Sequence, residues 1–218
     1  MRIGLISYHP PTPDVIDPDD VYRLREHALS LVEHGLQVLW LSSTATAEVL
    51  RDDPTLVPDD MHSLPATCRY VIPCQPYRLA GIPFFCTDST LWQQRPFHTR
   101  LFTFLCLLQR ALPSAVWHVW GDLAAAFLTV YTARFVGVPA VVSYNQTCLR
   151  AGSHHPFAWQ WVARHVSMAL VTSLTDQERL ISTSECPLRR IQVGHPAGAS
   201  APSAMVTLYQ KLHDSRRA

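Results

Sequence analysis

Apolar and polar positions along the chain switch between two periods. Short, continuous apolar runs have the pattern of strands covered on both faces. Each is followed by a stretch whose apolar residues recur three and four positions apart, as on one face of a helix. Ile3 to Ile6 reads as the first strand. Asp20 can cap a helix carrying Val21, Leu24, Ala28, Leu31 and Val32 on one side, and Gly35 ends it. Val38 to Leu41 is the next strand, and Ala45 to Arg51 a short helix. Residues 52 to 96 hold many of the prolines and read as irregular, with a short strand at Tyr70 to Ile72. Phe97 to Leu112 is an apolar helix stopped by Pro113.

Regular alternation then resumes. Strands are predicted at Ala115 to Val119, Ala140 to Tyr144, Ala169 to Thr172 and Ile191 to Val193. Helices are predicted at Leu123 to Val136 (closed by Gly137), Phe157 to His165 and Asp176 to Ser182. A Gly-Ala-Ser-Pro linker, Ala197 to Ser203, leads to a last helix, Ala204 to His213. This series predicts a Rossmann-like α/β fold: a single doubly wound, mainly parallel sheet of six or seven strands, with helices on both faces and right-handed crossovers. Residues 1–198 would form the domain. Residues 199–218 would be a linker and a closing helix packing back on it through Met205, Leu208, Tyr209 and Leu212. Sheets of this kind bind ligands outside the carboxyl ends of their strands. That points to Tyr8, His9, Ser42, Trp120 to Asp122, Asn145 to Thr147, Ser173 and His195.

Composition narrows the function. The 218 residues are 48% hydrophobic and 16% charged, enough for one well-buried domain. A formal net charge of +1 argues against a nucleic-acid partner held by bulk phosphate attraction. The six cysteines form no C-x-x-C pair, so neither a metal site nor a disulfide framework is expected, and reduced thiols fit a cytoplasmic protein. No apolar run is long enough to span a bilayer. Arg95, Arg100 and Arg110, in and just before the apolar helix, leave peripheral contact with the inner, anionic face of a membrane open.

Several stretches, in order, resemble the N-terminal, acceptor-side domain of family-4 GT-B glycosyltransferases. "EHALSLVEHGLQVLWLS" is similar to that family's first helix and second strand. "AVWHVWGDLAAAFLTVYTARFVGVPAVVSYNQ" resembles its "D-V-V-H-V-H-G … L-A-A-x-L-A-R-x-x-G-I-P-V-V-V-T-x-H-G". "SMALVTSLTDQERL" and "RRIQVGHPAGASAP" resemble the segments leading out of the domain, and "MVTLYQKLHD" its closing helix. The family's donor-binding domain has no counterpart in the sequence. The resemblance therefore implies hexose transfer from a sugar nucleotide to a glycan or glycolipid acceptor, with a separate donor-binding chain as partner. The alternative is a non-catalytic relative acting as a binding or regulatory subunit. An unrelated nucleotide-binding module is disfavoured by the missing G-x-G-x-x-G and G-x-x-x-x-G-K-[ST] motifs.

The resemblance places acceptor-binding groups at His9, His118, Trp120, Gly121, Asn145 and Gln146. It names no catalytic residue, cofactor or metal ligand. His118 and Gly121 match "H-V-H-G", with Trp120 in place of the second histidine. An indole can stack on a sugar but cannot take a proton. Asn145 and Gln146 stand where the family has "H-G", and an amide is no general base near neutral pH. The plainer alternatives are a strand histidine with satisfied hydrogen bonds at position 118 and ordinary turn residues at 145 and 146. The loop after the first strand lacks glycine and is rich in aspartate, a poor anion cradle. His9 there is either an acceptor contact or a plain loop residue. Asp176 and Glu178 read as helix-capping groups.

Overall fold

The computed structural model describes residues 1–8, 17–60, 64–88, 95–121, 123–144, 155–184, 186–194 and 201–216. The chain divides into two compact units, Met1–Ser114 and Ala115–Ala218.

The first unit contains β1 (Arg2–Tyr8), α1 (Pro18–Glu33), β2 (Gln37–Ser43), α2 (Thr44–Val49), β3 (Leu56–Pro58), β4 (Cys74–Leu79), β5 (Ile82–Thr87) and α3 (Arg95–Ala111). Its strands lie in the order β3-β4-β5-β2-β1. β1 and β2 are parallel with Ile3 opposite Val38, and β2 and β5 are parallel with Trp40 opposite Phe84. α1 begins earlier than expected. Asp17 caps it by accepting from the Asp19 amide at 3.0 Å, and Pro18 fills the first turn, where no amide donor is needed. The buried face carries Val21, Leu24, His27, Ala28 and Leu31, while Val32 is 41% exposed.

β4 and β5 pair antiparallel around Ala80 and Gly81, whose φ values are 48° and 85°. Two successive left-handed residues make the tight turn that suits the twist of a hairpin. The sequence predicted no strands here. Pro76 and Pro83 read as breakers, yet β4 forms, with Cys74, Pro76 and Leu79 buried and Gln75 and Arg78 exposed. β3 pairs with β4 only from Leu56–Leu79 to Pro58–Tyr77, so Pro76 sits just past that ladder. Residues 70–72, expected as a strand, form a turn instead.

The second unit follows its pattern closely. It contains β6 (Val116–Gly121), α4 (Leu123–Val136), β7 (Ala140–Tyr144), α5 (Pro156–His165), β8 (Met168–Val171), α6 (Leu174–Ser184), a single 3-10 turn (Leu188–Arg190), β9 (Ile191–Val193) and α7 (Ala201–Asp214). The strands run parallel in the order β6-β7-β8-β9, with Trp117 opposite Ala140, Val141 opposite Met168 and Ala169 opposite Ile191. Ser173 rather than Asp176 caps α6: its Oγ accepts from the Asp176 amide at 3.1 Å, and the Asp176 carboxylate, in the first turn, accepts from the Thr172 and Ser173 hydroxyls at 2.6 and 2.8 Å. The closing helix α7 buries Met205, Leu208 and Tyr209 and packs on β6, with Leu212 half-buried.

The fold class is thus mixed α/β, mainly parallel and Rossmann-like. Nine strands occur among the described residues rather than six or seven, because β3, β4 and β5 lie in the stretch read as irregular. No helix among the described residues is long and apolar enough to cross a membrane.

Candidate functional site

Three of the six predicted acceptor residues fall on β6. His118 is 1% exposed, and both ring nitrogens are engaged. Nδ1 lies 2.7 Å from the Tyr209 hydroxyl on α7, and Nε2 lies 2.7 Å from Ser143 Oγ on β7. A hydroxyl can donate or accept, so the network is satisfied with the ring in either tautomer. Complete burial holds the Tyr209 phenol well above its ordinary pKa, so it stays protonated. Neither nitrogen of His118 is left to receive a proton from a bound hydroxyl, which matches the strand-histidine alternative. Trp120 is 4% exposed, and its ring centroid lies 6.1 Å from that of His118. Gly121 ends β6. His9, Asn145 and Gln146 lie outside the described residues, so a convergence of all six is not on view.

A concavity in the first unit was not foreseen. It encloses about 850 Å³ between α2 and the β3-β4-β5 strands. Apolar or sulfur-bearing residues and Tyr77 line it (Ala47, Leu56, Pro58, Cys74, Cys86), together with the polar residues Thr44, Glu48, Arg51, Arg69, Gln75 and Asp88. Thr44 directly follows β2 and Asp88 directly follows β5, so the hollow opens at the carboxyl ends of two parallel strands, where a doubly wound fold puts its ligands.

The hollow is built on rigid supports. Beneath it a relay of buried hydroxyls joins β1, β2 and α2: Trp40 Nε1 donates to Ser7 Oγ at 2.7 Å, Ser7 Oγ meets Ser42 Oγ at 2.8 Å, and Ser42 donates to Thr46 Oγ1 at 2.7 Å. The turn between α2 and β3 is fixed by Asp53, which accepts from the Thr55 amide and hydroxyl at 2.8 and 2.7 Å and pairs with Arg25. The Ser43 hydroxyl, fully buried at the end of β2, has no hydrogen-bond partner among the described residues.

Chemically the lining offers donors of both kinds. Arg69 gives its Nε proton to the Leu64 carbonyl at 3.0 Å, and no carboxylate pairs with Arg51 or Arg69 among the described residues. The Tyr77 hydroxyl donates to Gln75 Oε1 at 2.9 Å. Burial first, then Cys86 and Glu48 nearby, holds the Tyr77 phenol above its ordinary value, so it remains a neutral donor. Burial likewise pushes the Cys74 and Cys86 thiols up, leaving them protonated and unreactive. No group of three potential metal ligands occurs among the described residues. An aromatic wall with amide, hydroxyl and guanidinium groups around it suits a polyhydroxylated ligand. The available signal was Thr44 following a strand end. It was missed because the opposite wall is the hairpin that the prolines concealed.

No protein-family model and no curated protein matches the chain. Solved structures do match. UDP-GlcNAc 2-epimerase from Neisseria meningitidis, bound to UDP-GlcNAc, superposes with a TM-score of 0.57 at 12% identity, covering 96% of this chain and 50% of that one. UDP-GlcNAc 2-epimerase from Methanocaldococcus jannaschii gives 0.56 at 8% identity, covering 88% and 45%. S. aureus MnaA in complex with UDP gives 0.51 at 12% identity, covering 87% and 43%. At such identities the likeness concerns fold alone: the Rossmann-like α/β architecture shared with about half of each of these structures. The chain spans about half the length of these structures.

Proposed function

We propose that this chain is an acceptor-side domain of a family-4-like GT-B glycosyltransferase, taking part in hexose transfer from a sugar nucleotide to a glycan or glycolipid with a separate donor-binding chain. The observation that carries the reading is the hollow at the carboxyl ends of β2 and β5, lined by Tyr77, Arg51, Arg69 and Gln75. In this reading Tyr77 stacks on a sugar ring, and the polar lining groups bind its hydroxyls or an attached phosphate. No cofactor is required beyond the sugar nucleotide, which the partner chain holds.

The test is saccharide binding by calorimetry or ligand-observed NMR. Tyr77→Ala should weaken binding about tenfold, the scale of one lost stacking face, while the exposed Arg23→Ala leaves it unchanged. Binding that ignores Tyr77, or turnover of UDP- or GDP-sugars by the isolated chain, contradicts the reading.

A second reading, a non-catalytic binding or regulatory subunit, is favoured by one observation: the histidine matched to the family's "H-V-H-G" has both nitrogens consumed inside the unit. Co-expression with the product of the neighbouring reading frame separates the two. Transfer activity of the pair supports the first reading; saccharide binding with no transfer supports the second.

A further inference from the structure

The strand register of the second unit fixes which side of the sheet its last helix covers. Trp120, Ser143, Leu170 and Gln192 stand opposite one another across β6, β7, β8 and β9, so they share one face. His118 and Met168, two positions earlier on β6 and β8, share it too. Tyr209 of α7 meets His118 there, so α7 lies on this face. It packs on β6 and leaves a cleft of about 460 Å³ over β8 and β9. That volume falls within the roughly 300 to 1,000 Å³ of small-molecule sites. Met168 and Gln192 line the cleft from the sheet, and Ser203, Thr207, Leu208 and Lys211 from the helix.

The lining identifies the occupant. Lys211, the one lysine of the chain, is exposed, and no acid shares the lining with it among the described residues. Asp214, the nearest acid along α7, faces His213 at 3.2 Å. One ammonium balances one negative charge, so the cleft suits a carboxylate better than a doubly charged phosphate. Thr207 and Ser203 recede from Lys211 at four-residue spacing on one side of the helix, with the Thr207 hydroxyl donating to the Ser203 carbonyl at 2.9 Å. Ser203 and Lys211 are separated by about 12 Å along the helix axis, the reach of one ring and its substituents. Leu208 and Met168 offer apolar contact from opposite walls, and a thioether is favoured against an aromatic ring. Gln192 offers an amide that can donate to a ring substituent or accept from it.

We infer that the cleft between α7 and the β8–β9 strands binds a small aromatic monocarboxylate, with Lys211 on the carboxylate, Met168 and Leu208 against the ring, and Gln192 on a polar ring substituent. A ligand held there ties α7 to the outer strands and stabilises the docked helix by mass action. The inference goes beyond the acceptor reading, concerns the other unit and does not depend on it.

The test is calorimetry and thermal denaturation of the full chain with 4-hydroxybenzoate, with its uncharged amide 4-hydroxybenzamide, and with hexanoate as an aliphatic acid. 4-Hydroxybenzoate should bind with a Kd below about 1 mM and raise the melting temperature, while the amide and hexanoate bind about tenfold more weakly or less. Lys211→Gln, at an exposed position, should lower the affinity about tenfold at an unchanged melting temperature of the free protein. Gln192→Leu should abolish the preference for 4-hydroxybenzoate over benzoate, and Arg23→Ala, exposed in the other unit, should change neither readout. No saturable binding, equal binding of the amide or of hexanoate, or an affinity that ignores Lys211→Gln overturns the inference. So does a dimer in sedimentation equilibrium that Lys211→Gln dissolves, since the cleft would then belong to a second copy. None of these measurements uses a saccharide, so their failure leaves the Tyr77 reading untouched.

Discussion

Each unit buries a string of polar side chains where helices meet strands, and the two strings do different things. In the first, Trp40, Ser7, Ser42 and Thr46 form a relay of neutral groups under a hollow that opens to solvent. In the second, Ser143, His118 and Tyr209 form a relay that spends a histidine on docking the last helix. Chemistry-bearing residue types are therefore a poor guide to where chemistry is possible. The histidine is locked in the core, and the accessible concavity is lined by a tyrosine, two arginines and a glutamine. A satisfied buried network specifies one arrangement of its helices and is costly to break in part.

The severest way to break the comparison is to remove residues 203–218. This strips three buried apolar side chains from β6, worth roughly 4 to 9 kcal/mol before ordering costs, and leaves His118 Nδ1 without Tyr209. The melting temperature should fall clearly; an unchanged melting curve would show the helix to be a loose tail.

Single hydroxyl deletions sharpen it. Tyr209→Phe should cost about 1 to 3 kcal/mol, since it keeps the ring but strands a buried imidazole nitrogen. Ser42→Ala should cost a similar or smaller amount, about 1 to 2 kcal/mol, because Ser7 and Thr46 retain other hydroxyl geometry to adopt. Denaturant titration of both variants ranks the two relays, and an equal or larger loss for Ser42→Ala would reverse the ranking.

Acid should act on the first unit through Asp53. Burial alone would raise its pKa, but hydrogen bonds from Arg25 and Thr55 outweigh burial and hold it below the ordinary value. Folding then gains from the ionised carboxylate above the unfolded-state pKa of about 4, and loses that gain as pH falls through the lower folded value. Asp53→Asn should cost about 1 to 3 kcal/mol at neutral pH. The gap from wild type should narrow below about pH 4. A gap constant from pH 7 to pH 3 would remove the Arg25–Asp53 pair from the account.

The smallest expected effect is at the hairpin. Gly81 has φ +85° with open space where a Cβ would go, so Gly81→Ala should cost only about 1 kcal/mol, all of it backbone strain. A loss well above that would mean the turn has neighbours beyond those described.

The second unit was legible because its signals agree at every level. Val141 and Val142, Gly137 after α4, and Ser173 before α6 each point the same way, and the observed boundaries differ from the predicted ones by at most three residues. In the first unit β1 and β2 were equally plain, but 52–87 was not. There proline reads as a breaker, and the Ala80–Gly81 turn uses a left-handed alanine that no composition rule anticipates. The candidate site was legible only in part for the same reason. One wall, Thr44 to Arg51, follows a predicted strand, while the opposite wall exists only once the hairpin does. At His118 the sequence identified a residue at the end of a strand but could not show Tyr209, 91 positions away, closing over it.

The outermost strands, β3 in the first unit and β9 in the second, are three residues each. A long bare margin would present a ladder of unmet amides and carbonyls on which another chain could crystallise into fibrils. Here the template is too short to propagate. Pro58 deletes one donor from β3, and beyond it Asp59 is tied to Arg78, an ion pair that would have to be stripped of water before a foreign strand could extend alongside. The same brevity that makes these strands hard to notice should keep concentrated solutions of the protein clear.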